Sequence, residues 1–353
     1  MDSFRHLHQA TGRIIQHQQS DYLFFGGTAY LGLLINPDYQ ELVLEGIKKY
    51  GLNNGTSRSN NVQLGVYDEA EERMAKRFGF EASALFSSGY LAAQATVQTL
   101  SRKGEVIYAP HSHQALWLFG APKVESTIFD QWLLATISYI NESNNDSFVI
   151  IANAIDNLTP AQYDFSPLVN IKSTKNITLI LDDSHGLAVV NKNAVSADIS
   201  IFESCQHIEV VLLASLAKGL GTDAGIVLGS KETIAEVKKS PIFMGASPSS
   251  PGFVYALVNS EAIYTNAFER LQCNIQFFAE EVKNLSSLKS LERFPVFTST
   301  NPNLYRHLCH KGFLISSFPY PLPHSPLLNR IVISALHEKG DLVKLSEVLQ
   351  EYG

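Results

Sequence analysis

Val210-Val211-Leu212-Leu213-Ala214-Ser215-Leu216-Ala217-Lys218-Gly219-Leu220-Gly221 is an apolar run that ends in small residues and delivers one lysine into a glycine-rich turn. A solvated strand-end lysine is the plain reading. The all-apolar approach speaks against it, as do Gly219 and Gly221, because glycine lets backbone come close to a bound group. A second apolar run, Ile177-Thr178-Leu179-Ile180-Leu181, ends in Asp182-Asp183-Ser184-His185-Gly186. If both are strands of one parallel sheet, their polar ends emerge at one edge, where open α/β sheets bind ligands. Adjacent carboxylates on a strand end point in opposite directions, so at most one of Asp182 and Asp183 faces a ligand there. A buried carboxylate needs a cationic partner, and a pyridinium supplies one. A lysine facing an aspartate at a sheet edge therefore suggests pyridoxal phosphate. The lysine would hold it covalently, and the aspartate would keep its ring nitrogen protonated.

The totals fit a large soluble chain. With 353 residues and 45% hydrophobic content, a substantial core and two domains are expected. Net charge is −7 and no stretch is dense in Lys or Arg, which argues against nucleic acid and anionic membranes as partners. No apolar run is long enough to span a bilayer, and the start lacks a signal-peptide layout, so a cytoplasmic location is expected. Cys205, Cys273 and Cys309 are far apart and odd in number, reading as reduced thiols with no metal-type spacing.

Along the chain, an N-terminal arm (1–36) holds a weak helix and the apolar piece Tyr22–Phe25. A large domain (37–250) follows, with helices over Pro37–Tyr50 and Tyr67–Phe78 flanking a polar loop, and then an alternation of strands and helices. Strands are expected at Ser83–Phe86, Val106–Tyr108, Phe148–Ile151, Thr178–Leu181, Ile199–Phe202, Val210–Leu213 and Gly225–Leu228. The last two are close enough to form an antiparallel pair. This pattern predicts a mostly parallel seven-stranded sheet between helices. Past the Pro, Ser and Gly-rich stretch at 240–252, a long helix over Phe253–Leu288, strands at Phe294–Thr298, Phe313–Ser316 and Arg330–Ser334, and a helix over Asp341–Leu349 predict a smaller α+β domain (251–353).

Other candidates surround the lysine. Phe86-Ser87-Ser88-Gly89-Tyr90 runs from strand into helix, and the amides of such a helix start suit a phosphate. Ser215 offers a further hydroxyl. His111 and His113 follow another strand; an imidazole there stacks on a flat ring or moves a proton, and a metal reading lacks a third ligand. Arg330, in an apolar strand, needs an anion. A substrate carboxylate and a structural salt bridge fit that segment equally.

Taken together, these stretches resemble fold type I pyridoxal-phosphate enzymes, specifically the α-oxoamine synthase group. The matching pieces are Tyr30-Leu31-Gly32-Leu33, Gly55-Thr56-Ser57-Arg58, Phe86–Tyr90, Ser112-His113, Asp182–Gly186, Ser215–Gly221 and Arg330–His337, in order and with family-like spacing. The resemblance implies Lys218 as the cofactor lysine, Asp182 at the pyridine nitrogen, His113 on the ring and His185 near the cofactor oxygen. It also implies a phosphate held by Ser88, Gly89 and Tyr90 with Ser215, and Arg330, Thr28 and Ser57 on the substrate side. The implied reaction condenses a small amino acid with an acyl thioester, with decarboxylation, in a homodimer whose active sites are shared. Departures from the family pattern fall at Thr28, Tyr67, Ala217 and Asp156–Tyr163. Cofactor-holding positions thus match better than substrate positions. That keeps an aminotransferase or lyase on the same scaffold, and a non-catalytic homologue that binds the cofactor, as alternatives.

Overall fold

A computed structural model describes residues 4–319 and 324–352. The first described elements are strands, where the sequence predicts a weak helix. They are β1 (Ile14–His17) and β2 (Ser20–Phe25), joined through Gln18 and Gln19. Both turn residues lie at positive φ, 47° and 68°, the twist a two-residue hairpin needs. Glutamine is an unusual occupant of that conformation, so no turn signal marks the hairpin.

Helix α1 (Pro37–Tyr50) starts as expected. Asn36 caps it by accepting the Tyr39 N–H at 2.9 Å, Pro37 sits in the first turn, and Gly51 ends it. Helix α2 (Val66–Phe78) carries Asp68 and Glu69 in its first turn and Lys76 and Arg77 in its last, then stops at Gly79 with φ 77°.

The chain then lays down β3 (Ala82–Phe86), α3 (Gly89–Leu100), β4 (Glu105–Tyr108), α4 (Phe129–Glu142) and β5 (Ser147–Asn153). A small hairpin of β6 (Ile155–Asp156) and β7 (Ala161–Gln162) precedes β8 (Asn176–Asp182), β9 (Ile208–Ser215), the single turn α5 (Leu216–Gly219), β10 (Gly225–Gly229) and α6 (Lys231–Lys238). These strands form a six-stranded sheet of order β3-β10-β9-β8-β5-β4. Only β10 runs against the rest, pairing antiparallel with both β9 and β3.

The strand interiors are apolar on both faces. Phe148, Ile150 and Ala152 of β5 enter one core, while Val149 and Ile151 enter the other. Such strands need helices on both sides. The expected seventh strand, Ile199–Phe202, is instead a 3-10 turn over Ser200–Phe202. The side chain of Asp198 accepts both the Ser200 N–H at 3.2 Å and its hydroxyl at 2.6 Å, which folds the segment back on itself.

Helices α7 (Pro241–Gly245), α8 (Pro251–Asn259) and α9 (Glu261–Glu281) follow. The long helix expected over Phe253–Leu288 is thus two. The buried Ser260 donates its hydroxyl back to the Ala256 carbonyl, and the helix breaks there. The remaining elements are β11 (Lys289–Ser290), β12 (Val296–Ser299), α10 (Leu304–His310), β13 (Phe313–Pro319), β14 (Leu327–Val332) and α11 (Lys339–Tyr352). A second sheet, β1-β2-β13-β14-β12-β11, joins the N-terminal hairpin to the C-terminal strands through parallel pairing of β2 with β13.

His337 closes this second unit. Its ring stacks on Phe25 at 4.0 Å, Nδ1 accepts the Ser334 N–H at 2.9 Å, and Nε2 donates to the Phe24 carbonyl at 3.0 Å. Burial, partly offset by the Phe24 carbonyl, pushes it down to about 4. The unfolded imidazole, near its ordinary 6.5, therefore protonates first as pH falls. Stability is expected to be full above pH 6.5 and to decline between 6.5 and 4, by about 3 kcal/mol from this residue. Denaturant melts across that range check it, and His337→Gln should flatten the slope.

Candidate active site

The parallel strands β3, β4, β5, β8 and β9 all deliver their carboxyl ends to one edge, and the candidate residues gather there. Asp182 is the last residue of β8, level with Asn153 of β5 and Leu213 of β9. Its Oδ1 accepts the Ser184 N–H at 2.9 Å. Asp183 turns the other way. It is 1% exposed and takes the Ser196 N–H at 2.8 Å together with the Ser196 hydroxyl. Burial raises it to about 7 against those hydrogen bonds. The two carboxylates therefore split their duties: Asp183 pins the loop to Ser196, and Asp182 faces a cavity.

That cavity is lined by Lys218, Asp182, His113 and His185, together with His111, Asn153, Ile155 and Asp156–Leu158. Lys218 reaches it from α5, directly after β9, and its Nζ lies 3.1 Å from His185 Nε2. Gly219 is required beside it, because a Cβ there would stand 2.5 Å from the Leu187 carbonyl oxygen. Burial lowers the Lys218 amine below its ordinary value; Asp182 opposes that shift and Arg330 adds to it. Burial also holds His185 well below the usual imidazole value, with Lys218, Arg330 and His113 pressing the same way. His113 is lowered too, again by burial, with Asp182 opposing and Lys218 adding. Both imidazoles are therefore neutral at pH 7.

Asn153 aims His113. Its Oδ1 accepts the His113 N–H at 3.2 Å, and its Nδ2 donates to the His111 carbonyl at 2.7 Å. His111 stands at φ 60°, a left-handed conformation that bends the loop over the cavity.

The far side is closed by Tyr30, fully buried, whose hydroxyl lies 2.7 Å from His185 Nδ1. Its backbone N–H donates to the Lys218 carbonyl at 3.3 Å, and its carbonyl accepts from the Ala335 N–H at 2.9 Å. Arg330, on β14 opposite Ser316 and Thr298, is 5% exposed. Burial raises the Tyr30 hydroxyl above its ordinary value, and the Arg330 charge opposes that shift. The Nε and Nη2 of Arg330, the pair that forms a side-on fork, are buried without a partner among the described residues. A buried guanidinium edge left open in this way is built to receive an anion.

At the neighbouring strand end, Ser88 caps α3 by accepting the Leu91 N–H at 3.2 Å. The first-turn amides at Gly89 and Tyr90 have no partner within the helix. The packing here admits only glycine. A Cβ at Gly89 would sit 2.6 Å from the Ser215 Cβ, and one at Gly225 would sit 2.2 Å from the Ser88 carbonyl oxygen. Ser215 itself donates its N–H to Ser184 Oγ at 2.9 Å.

Thr28 and Ser57 are not among the residues lining this cavity. Thr28 borders a second hollow with Gly27, Ala217 and Ser334. Ser57 lies in the polar loop after α1, its hydroxyl 2.8 Å from that of Ser59. The described residues contain no cluster of three His, Cys, Asp or Glu side chains that could hold a metal ion, and no helix long and apolar enough to cross a membrane. Asn153 and the hydroxyl of Tyr30 were not singled out from sequence. Asn153 ends an apolar run in a polar residue, the same signal that marked Asp182, whereas Tyr30 carries no signal beyond its motif.

No family model matches the chain. It is 25% identical over 370 residues to an 8-amino-7-oxononanoate synthase of Dechloromonas aromatica, covering 98% of this chain and 94% of that one. Identity to a serine palmitoyltransferase of Bacteriovorax stolpii is 23% over 371 residues, covering 99% and 86%. A solved structure of an SPT variant with PLP superposes with a TM-score of 0.80 at 16% identity, covering 98% of this chain and 91% of that one. The chain therefore has the α/β architecture of fold type I pyridoxal-phosphate enzymes and is similar to α-oxoamine synthases over nearly its whole length.

Proposed function

We propose that this chain is a pyridoxal-phosphate transferase that condenses a small amino acid with an acyl thioester, giving an α-amino ketone, CO2 and the free thiol. The observation that carries the reading is the convergence on one cavity of Lys218 and Asp182, beside the open fork of Arg330.

The residues present fit the cofactor. A desolvated amine would meet its aldehyde, a strand-end carboxylate would meet its ring nitrogen, and a glycine-lined helix start would meet its phosphate. When bound, the cofactor supplies an electron sink for charge developing at the amino acid's α-carbon. Lys218 would hold it and would take the proton from the α-carbon. Asp182 would keep the ring nitrogen protonated, and His113 would cover the ring. His185 would hold the Lys218 amine in place from 3.1 Å. Ser88, Gly89, Tyr90 and Ser215 would surround the phosphate. Arg330 would grip the substrate carboxylate through Nε and Nη2 and fix the α-carbon against Lys218.

Residues 37–250 would form the cofactor-binding unit, with 251–353 and the N-terminal hairpin as the substrate-side unit. The chain would work as a cytoplasmic homodimer. Leu52 and Val62 on the loop that carries Ser57 are 73% and 70% exposed, as expected of a face that a second copy covers. Ser57 would then serve a shared site, and Thr28 would border the substrate entrance.

Incubating the purified protein with PLP, amino acids and acyl-CoA, and following CO2 and free thiol, tests the reaction. Release of both in equal amounts is expected; keto acid formed without thioester would establish the aminotransferase alternative instead. Arg330→Lys keeps the charge but loses the fork. It is expected to raise KM for the amino acid by about 10- to 100-fold with a smaller change in kcat, the worth of a charge-assisted hydrogen bond.

A further inference from the structure

Lys218 stands on a turn that is too short to hold itself. The turn α5 is closed by the Leu220 N–H on the Leu216 carbonyl at 2.8 Å, and a helix end leaves its last carbonyls without helical partners. The Leu220 carbonyl lies just past that end, two residues beyond the lysine, in a residue that is fully buried.

Three buried hydroxyls meet this carbonyl. Tyr264 of α9 donates to it at 3.1 Å. Tyr39 of α1 and Thr222 each lie 3.3 Å from it and 2.7 Å from one another. A carbonyl only accepts, and it has two lone pairs. Whichever of Tyr39 and Thr222 donates to the other, the receiver's own proton is left for the carbonyl. Both lone pairs are thus filled, one by Tyr264 and one by the Tyr39–Thr222 pair. Burial raises both phenols above their ordinary value, so both stay protonated and able to donate near neutral pH.

We infer that Tyr39 and Tyr264 are positioning residues: from two helices far apart in sequence they fix the Leu220 peptide, and through it the turn that aims Lys218 into the cavity. The rest of the turn leaves little slack. The Tyr30 N–H holds the Lys218 carbonyl at 3.3 Å, and at Gly221, with φ 61°, a Cβ would stand 2.6 Å from the Leu33 Cβ.

The chemical role of Lys218 rests on the cofactor reading above; the clamp on its turn does not. The first test therefore uses the protein without added cofactor. Tyr264→Phe keeps the ring and removes one of the two donations. Reaction of Lys218 with trinitrobenzenesulfonate at a fixed pH, followed by peptide mass spectrometry, should quicken about tenfold, the effect of one lost hydrogen bond on a local opening. Ser83→Ala is the control. It removes another buried hydroxyl from a backbone carbonyl, that of Glu71 at 2.8 Å, near the start of β3 and away from the lysine edge. Lys218 labelling is expected to stay unchanged there. An unchanged rate in Tyr264→Phe, or an equal gain in Ser83→Ala, would overturn the inference.

In the loaded enzyme, Tyr264→Phe should lower kcat by about 10- to 100-fold, since proton transfer depends on where the amine stands. KM for the amino acid, set at Arg330, should hold. A raised KM with unchanged kcat would overturn the inference. If the variant does not fold, hydrogen exchange in the unsubstituted protein decides: residues 216–222 are expected to exchange as slowly as β9, and exchange as fast as an exposed loop would count against the clamp. A protein that fails to take up PLP but shows the expected labelling pattern would sink the functional reading and leave this one standing.

Discussion

Lys218→Ala is expected to abolish measurable turnover, a fall of about four orders of magnitude, because one side chain both tethers the cofactor and moves the α-proton. The fold should survive. Lys218 sits in a single turn anchored by Leu216 and Gly219, which are buried, and among the described residues its amine lies at hydrogen-bond distance from His185 alone. Lys218→Arg is expected to lose as much, since a guanidinium keeps the charge but cannot act as a nucleophile at pH 7. Product release assayed beside a thermal melt separates lost chemistry from lost structure. Wild-type turnover in Lys218→Ala would contradict the assignment of Lys218 as the residue that tethers the cofactor and moves the proton.

The second large effect belongs to Asp182→Asn. Asparagine can still accept the Ser184 N–H, now held at 2.9 Å, so the strand end keeps its shape while the charge goes. Turnover should drop by about 10²- to 10³-fold, the scale of removing one preorganised electrostatic partner. The variant also moves a second observable the opposite way. Asp182 holds the Lys218 amine up against burial, so removing its charge should lower the amine further. Labelling of Lys218 near neutral pH in the cofactor-free protein should therefore quicken while catalysis collapses.

Much of this site was legible because an apolar run that ends in a polar residue is a strong local signal. Lys218, Asp182 and His113 each follow such a run, and each lines the cavity. The even division of β5 between two cores was equally legible, since a run without polar breaks needs cover on both faces. Other features depend on contacts that sequence spacing does not carry. Asp198 bends Ser200–Phe202 out of the sheet with two side-chain hydrogen bonds, which hydropathy cannot register. Ser260 breaks a helix from a position where serine often sits harmlessly. Arg330 was ambiguous between a salt bridge and a carboxylate fork, and what favours the fork is two buried nitrogens without partners among the described residues. Tyr30 was the least visible. In Tyr30-Leu31-Gly32-Leu33 it reads as one more core aromatic, and only tertiary packing brings its hydroxyl between His185 and Arg330.

The most direct measurement is to load the protein with PLP, reduce it with borohydride, digest it and locate the pyridoxyl group by mass spectrometry. A single modified peptide is expected, carrying the group on Lys218. A label on another lysine, or none on Lys218, would contradict the assignment of this cavity as the place where the chain does its chemistry.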